Sequence, residues 1–206
     1  MKGLIIKDFI YIRQQLKVYI IIMILWFVIG FMSSGPEFFC GIMLMFVTMI
    51  PMTAIAYDDS SGWDCFVLTA PVSRKQMVLS RYILMVIILI ISAVLAFTGG
   101  IVIGGEAVEC VFYTVMMSAI GLMLSSVMIP IAFRFGVEKG RFVFLTVIAA
   151  VVAAAGAAGS GFGERFDIRN IYLNQWTAAV IMLAAAALFS IISLKISEMI
   201  YDKKEF

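Results

Sequence analysis

The sequence predicts an all-α integral membrane protein. Of its 206 residues, 64% are hydrophobic and 14% are charged, whereas soluble globular chains average about 45–50% apolar and about 25% charged residues. A surplus of apolar side chains this large must be solvated by lipid. The net charge of +2 gives no reason to expect a nucleic-acid partner. The sequence contains no histidine, which removes the commonest general base and metal ligand.

Six apolar stretches are long enough, or nearly long enough, to cross the hydrocarbon core, which takes about 20 residues of helix. They cover residues 18–32, 38–57, 82–105, 111–133, 142–163 and 175–194. Each stretch should be a helix, because backbone groups have no water partner inside lipid. The chain is therefore predicted to form a single six-span membrane domain over residues 1–206.

The first 17 residues predict an amphipathic helix in the headgroup plane rather than a signal peptide. Their basic side chains are spread along the whole stretch instead of preceding one apolar run. An apolar stripe at helical spacing consists of Ile5, Phe9, Ile12 and Leu16. The residues expected at the membrane interface are Lys2, Lys7, Phe9, Arg13 and Lys17.

The basic residues between the spans predict the orientation of the chain. Thirteen of the 15 lysines and arginines fall on the same side as the N-terminus, and only Arg165 and Arg169 fall on the other side. Because cytoplasmic loops carry the excess of basic residues, both termini should be cytoplasmic. The even number of spans agrees with this orientation.

The longest polar interruption, residues 58–81, predicts a short cytosolic helix. Ser61 and Asp64 have the spacing of a capping box and precede an apolar run. Pro71 should end that helix, and Ser73 with Gln76 offers a second helix start that leads into the third span. The segment is thus expected to fold as a helix, a break and a new helix.

Two interpretations of this short helix remain open from the residues alone. Trp63 and Phe66 among acidic neighbours suit docking into a groove of another protein. They could equally anchor the loop at the lipid interface, with Arg74 and Lys75 acting only as topology charges.

Two short regions resemble the permease subunits of the type-two ATP-binding-cassette (ABC) exporter family. The opening MKGLIIKDF at residues 1–9 is similar to the start of the small members of that family. Asp58, Asp59 and Trp63, followed by PVSRK at residues 71–75 and by Arg81 and Tyr82, resemble the family's segment between spans two and three. The short outer loops look most like those of small bacterial members that export amphipathic peptides such as phenol-soluble modulins.

The resemblance implies a partner and a role for the polar segment. In the family this segment is a coupling helix that contacts a separate ABC ATPase subunit, on which ATP and magnesium would bind. The residues expected to couple to that subunit are Asp58, Asp59, Trp63, Asp64, Phe66, Pro71, Arg74 and Lys75. The resemblance also implies a bacterial cell membrane and a second permease copy, in a homodimer or a related heterodimer. The substrate that the resemblance implies is an amphipathic peptide.

The chain lacks the motifs of a self-sufficient pump. Gly136 and Gly140 have the wrong spacing for a phosphate-binding loop, and no hydroxyl residue follows a lysine there. We therefore expect no enzymatic activity, cofactor or metal in this chain itself. The six stretches carry no ionisable residue at mid-depth, which argues against an ion-coupled carrier. That carrier and a non-transporting immunity or assembly protein are the alternatives to an exporter.

The fifth predicted span is rich in small residues. Ala155, Gly159 and Gly163 recur every four residues, a spacing that lets helix backbones approach closely in lipid. This pattern is compatible with packing inside one subunit and with a subunit interface.

Overall fold

The computed structural model describes residues 2–32, 36–67, 73–140, 142–143, 145–146 and 175–203. These residues contain helices and turns but no strands. The helices are α1 (Lys2–Met32), α2 (Pro36–Ser61), α3 (Trp63–Val67), α4 (Arg74–Ile103), α5 (Ala107–Phe135) and α6 (Gln175–Asp202). A short helical segment also follows α5 at residues 137–140.

Five of these helices, all except α3, are long and apolar enough to cross a membrane. They correspond to five of the six predicted spans, so the all-α membrane class is confirmed. The remaining predicted span, residues 142–163, lies almost entirely outside the described residues, as do Ala155, Gly159 and Gly163.

Helix α1 joins two elements that the sequence predicts as separate. It runs without interruption over Lys2–Met32, which corresponds to about 46 Å at 1.5 Å per residue. A distinct interfacial helix over residues 1–17 is therefore not confirmed. The hydrocarbon core is only about 30 Å thick, so α1 is long enough to contain both the amphipathic start and the first span.

Helix α4 begins well before the predicted start of the third span. Its first residue is Arg74, and Ser73 with Gln76 forms a capping box at the predicted helix start. The Gln76 amide donates to the Ser73 hydroxyl at 3.3 Å, and the Ser73 amide donates to the Gln76 side chain at 3.2 Å. Gly104, with φ of 104°, ends the helix in the left-handed conformation that glycine adopts most readily.

The contacts at the helix ends give the direction of each helix. Lys7 near the start of α1 meets Asp58 near the end of α2, so these two helices are antiparallel. The Arg74 guanidinium at the start of α4 donates to the Asp202 carbonyl at the end of α6. Helices α5 and α6 run parallel, because Phe112 contacts Trp176 near their starts and Phe133 contacts Tyr201 near their ends.

Hydroxyl groups hold α4 against α6 inside the apolar core. The Tyr82 hydroxyl lies 2.7 Å from the Ser193 hydroxyl and 2.8 Å from that of Ser197. All three side chains are buried. A buried hydroxyl without a partner is costly, so this mutual pairing makes polar residues compatible with the core.

Candidate coupling site

The polar segment between the second and third predicted spans starts with a sharp turn. Helix α2 ends at Ser61, whose hydroxyl donates to the Tyr57 carbonyl at 2.7 Å and so satisfies one carbonyl of the last turn. Gly62 has φ of 63°, a conformation that costs glycine little. Trp63 then opens α3, which places its ring back against the bundle.

Four charged side chains from three helices meet beside this turn, and we call them the charge quartet: Lys7, Asp8, Asp58 and Arg81. The Lys7 ammonium lies 2.5 Å from an oxygen of Asp58 and 3.5 Å from an oxygen of Asp8. The Arg81 guanidinium lies 2.6 Å from Asp8 and also pairs with Asp58. The quartet therefore ties α1, α2 and α4 together.

The charge quartet is buried but electrically balanced. The Asp8 side chain is fully buried, and those of Asp58 and Arg81 are only 6% and 7% exposed. Among the described residues, neither oxygen of Asp8 accepts a hydrogen bond. Asp8 and Arg81 are therefore close enough to form an ion pair, but their atoms are not aligned for a hydrogen bond. Two acids and two bases cancel in charge, and removing one would leave an uncompensated buried charge.

Trp63 covers the Lys7 end of the charge quartet. The Lys7 ammonium lies 4.5 Å from the centre of the indole ring, a cation–π contact. The same ammonium is 5.7 Å from the ring of Tyr11, which stacks on Tyr57 with centroids 5.3 Å apart. Helix α3 is thereby in direct contact with α1, although 56 residues separate Lys7 from Trp63.

The side chains of α3 are divided between the bundle and the surroundings. Val67 is 3% exposed and belongs to the apolar core. Trp63 is half-buried and packs against the core. Phe66 is 65% exposed and extends outward next to Trp63, with ring centroids 5.5 Å apart.

The acidic residues expected to surround this helix are likewise divided. Asp58 belongs to the charge quartet and is too deeply buried to lie on a docking face, which corrects its expected placement. The backbone of Asp59 is at the exposed end of α2, and its carboxylate accepts from the Val137 amide at 3.4 Å. The Asp64 side chain and the whole of Pro71 lie outside the described residues.

The two basic residues at the start of α4 have different surroundings. The Arg74 guanidinium donates to the Asp202 carbonyl at 2.6 Å and to the Tyr201 carbonyl at 3.4 Å. It therefore satisfies carbonyl groups at the end of α6. Lys75 is exposed to the surroundings.

The interfacial residues predicted on α1 do not share one environment. Lys7 is held in the charge quartet, whereas Phe9, Arg13 and Lys17 are exposed along the helix. The side chain of Lys2 lies outside the described residues.

Sequence reasoning missed Asp8 as a member of the site and did not include Arg81 among the expected coupling residues. A signal for Asp8 was present, since it lies four residues from Leu4 and from Ile12 and so shares a helix face with both. All three side chains are buried. A carboxylate within an apolar stripe indicates a buried partner.

The described parts of the chain thus form a multi-span helical membrane protein with a charged, aromatic-covered junction at one end of the bundle. A family model described as ABC-2 family transporter protein matches residues 3–202. The chain therefore belongs to the ABC-2 transporter family. No curated protein and no solved structure matches it.

Proposed function

We propose that the chain is the permease subunit of an ATP-driven exporter and that a separate ABC ATPase drives it through α3. Membership of the ABC-2 family supports a membrane transporter component working with an ATP-binding subunit. The observation that carries the proposal is the packing of Trp63 on Lys7. It gives a motion of α3 a direct path into the membrane helices.

The docking surface for the ATPase centres on Phe66. This large apolar side chain is 65% exposed at the end of the bundle where polar groups are concentrated. An exposed aromatic ring beside a polar rim is typical of an anchor that enters a pocket on a partner protein. Asp59, Lys75 and Asp64 are assigned to the rim, whereas Asp58 acts from inside the permease.

Force applied to α3 passes into the bundle through the charge quartet. Trp63 bears on Lys7, Lys7 is paired with Asp58, and Asp58 is paired with Arg81. These contacts connect α3 to α1, α2 and α4 in turn. Since interiors are close-packed and respond as connected units, a shift of α3 would move all three helices together.

Six spans, with both termini in the cytoplasm, are part of the proposal. Helices α5 and α6 run parallel, so the chain that joins them must return to the opposite membrane face. The apolar stretch at residues 142–163 has the length for that crossing. The cytoplasmic face is then the end that holds the charge quartet and α3.

Two copies of the chain enclose the path, and the substrate is an amphipathic peptide. One subunit of five or six spans is too small to surround a peptide-sized path. The exporter is favoured over an ion-coupled carrier because the buried charged residues, within the described parts of the chain, all belong to the charge quartet at one end of the bundle, where they neutralise one another. An immunity or assembly protein would need no route from a cytosolic helix into its spans.

Reconstitution with the ATPase encoded beside this chain tests the proposal. In proteoliposomes, Phe66→Ala should weaken ATPase binding, and Trp63→Ala should retain ATPase binding and hydrolysis while lowering peptide export at least tenfold. Met199→Ala is the matched control, because Met199 on α6 lies near the same end of the bundle as α3 and is 59% exposed. Export and ATPase binding that remain normal in both test variants would refute docking through α3.

A further inference from the structure

An apolar trough of about 610 Å³ lies on the side of α1 that faces α2 and α4. Its walls are almost entirely aliphatic and aromatic, and Arg13 is the one charged residue among the described residues that line it. A trough with a single cation has the polarity of an amphiphile-binding site. We propose that it holds one acyl chain of an anionic phospholipid whose phosphate lies against Arg13.

Helix spacing places Arg13 on the cytoplasmic side of the part of the trough that α2 and α4 enclose. Arg13 is five residues beyond Asp8 of the charge quartet, or about 8 Å along α1. The α4 wall starts at Ile88 and ends at Leu95, which are about 10 and about 21 Å beyond Arg81 by the same rise. The part enclosed by more than one helix therefore lies deeper in the membrane than Arg13.

The α2 wall of the trough also lies deeper in the membrane than the charge quartet. Ile50 and Phe46 line the trough and lie about 12 and about 18 Å from Asp58 along α2. Both side chains are buried and apolar. An acyl chain that enters beside Arg13 would thus extend toward the bilayer centre along surfaces of its own polarity.

Charge complementarity identifies the headgroup. Lys7 and Arg81 are neutralised inside the charge quartet, but Arg13 makes no ion pair within the described part of the chain. Guanidinium groups bind phosphate through paired, charge-assisted hydrogen bonds. A zwitterionic phospholipid offers the same phosphate with an opposing cation, so the site should prefer the anionic lipid.

Native mass spectrometry of the full chain, titrated with phosphatidylglycerol or phosphatidylcholine after delipidation, tests the assignment. Arg13→Gln should weaken phosphatidylglycerol binding about fivefold, the effect expected for one basic side chain at a membrane surface. Lys17→Gln is the matched control, because Lys17 is one helical turn away and does not line the trough. It should leave the affinity nearly unchanged.

Three results would overturn the proposal. Equal losses in Arg13→Gln and Lys17→Gln would show diffuse attraction to the anionic surface instead of a site. Equal affinity for the two lipids in the unmodified chain would remove the headgroup assignment. Disulfide-linked dimers of an Ile10→Cys variant, formed in vesicles at this 56% exposed position, would show that a second copy covers the trough. None of these outcomes depends on an ATPase or on transport.

Discussion

At the scale of single residues, Asp58 is held inside the bundle by two ion pairs. Its carboxylate is shared by Lys7 and Arg81, and its side chain is only 6% exposed. A buried ion pair contributes little net stability, but removing one partner typically costs about 3–5 kcal/mol. Removing the Asp58 carboxylate would therefore lower the stability of the fold, because two buried cations would be left beside one acid.

Asp58→Asn should lower the free energy of unfolding by about 3 kcal/mol, because Lys7 and Arg81 would then share Asp8 alone. Adding Lys7→Met should restore part of the loss, since Asp8 and Arg81 would remain as a balanced pair. Unfolding by sodium dodecyl sulfate in mixed micelles, followed by circular dichroism, measures these differences.

The neighbouring carboxylate supplies the control for this cycle. Asp59→Asn should change the unfolding free energy by less than about 1 kcal/mol, because the residue is exposed and the asparagine amide oxygen can still accept from the Val137 amide. Strictly additive effects of Lys7→Met and Asp58→Asn would contradict the coupled network, because residues in one ion-pair network should not behave independently.

The sequence could identify Trp63, Phe66 and the helix start at Ser73, since each depends on local spacing. It could not identify which of the two aromatic rings faces outward, because that depends on the turn at Gly62 and on where Lys7 lies. Nor could it pair Lys7 with Asp58, which are 51 residues apart. Ion pairs between helices depend on packing angles that hydropathy does not encode.

At the scale of helices, α2 and α4 approach closely near the end opposite the charge quartet. A Cβ atom added to Gly99 would collide with the ring of Phe39, which is 3% exposed. Small residues allow such approaches between membrane helices. The contact explains why a glycine is accommodated inside α4 despite its poor helix propensity.

Gly99→Ala should therefore destabilise the protein by about 1–3 kcal/mol, the usual cost of overpacking. Gly41→Ala in α2 is the control, because an added Cβ there meets no atom of the described residues within 4 Å. It should be neutral or stabilising by up to about 1 kcal/mol. Thermal unfolding in detergent distinguishes the two, and equal shifts would rule out the close contact.

The helix predictions are confirmed for the five apolar spans that the structure describes, whereas a separate interfacial helix before the first span is not confirmed. Residues 1–17 contain four basic side chains, so hydropathy separates them from the first span. The structure continues α1 through this boundary because Lys7 is neutralised by the charge quartet while Arg13 and Lys17 remain at exposed positions. Local sequence patterns do not show when a charge will be paired by another helix.

At the scale of the whole molecule, the parallel arrangement of α5 and α6 and the position of the charge quartet predict the topology. In a variant with all three native cysteines replaced by alanine, Glu106→Cys should react with a membrane-impermeant maleimide in intact cells. Phe66→Cys should react only after the membrane is opened, because α3 is assigned to the cytosol. Labelling of Phe66→Cys in intact cells would reverse the proposed orientation.

Site-specific photo-crosslinking at position 66 tests the central claim most directly. With benzoylphenylalanine in place of Phe66, irradiation of cells should give an adduct whose mass spectrum identifies a soluble subunit with a phosphate-binding loop. The same group in place of Met199, also exposed near that end of the bundle, should give little of this adduct. If position 66 captures no ATP-binding subunit, or captures it no better than position 199, the coupling role assigned to α3 is wrong.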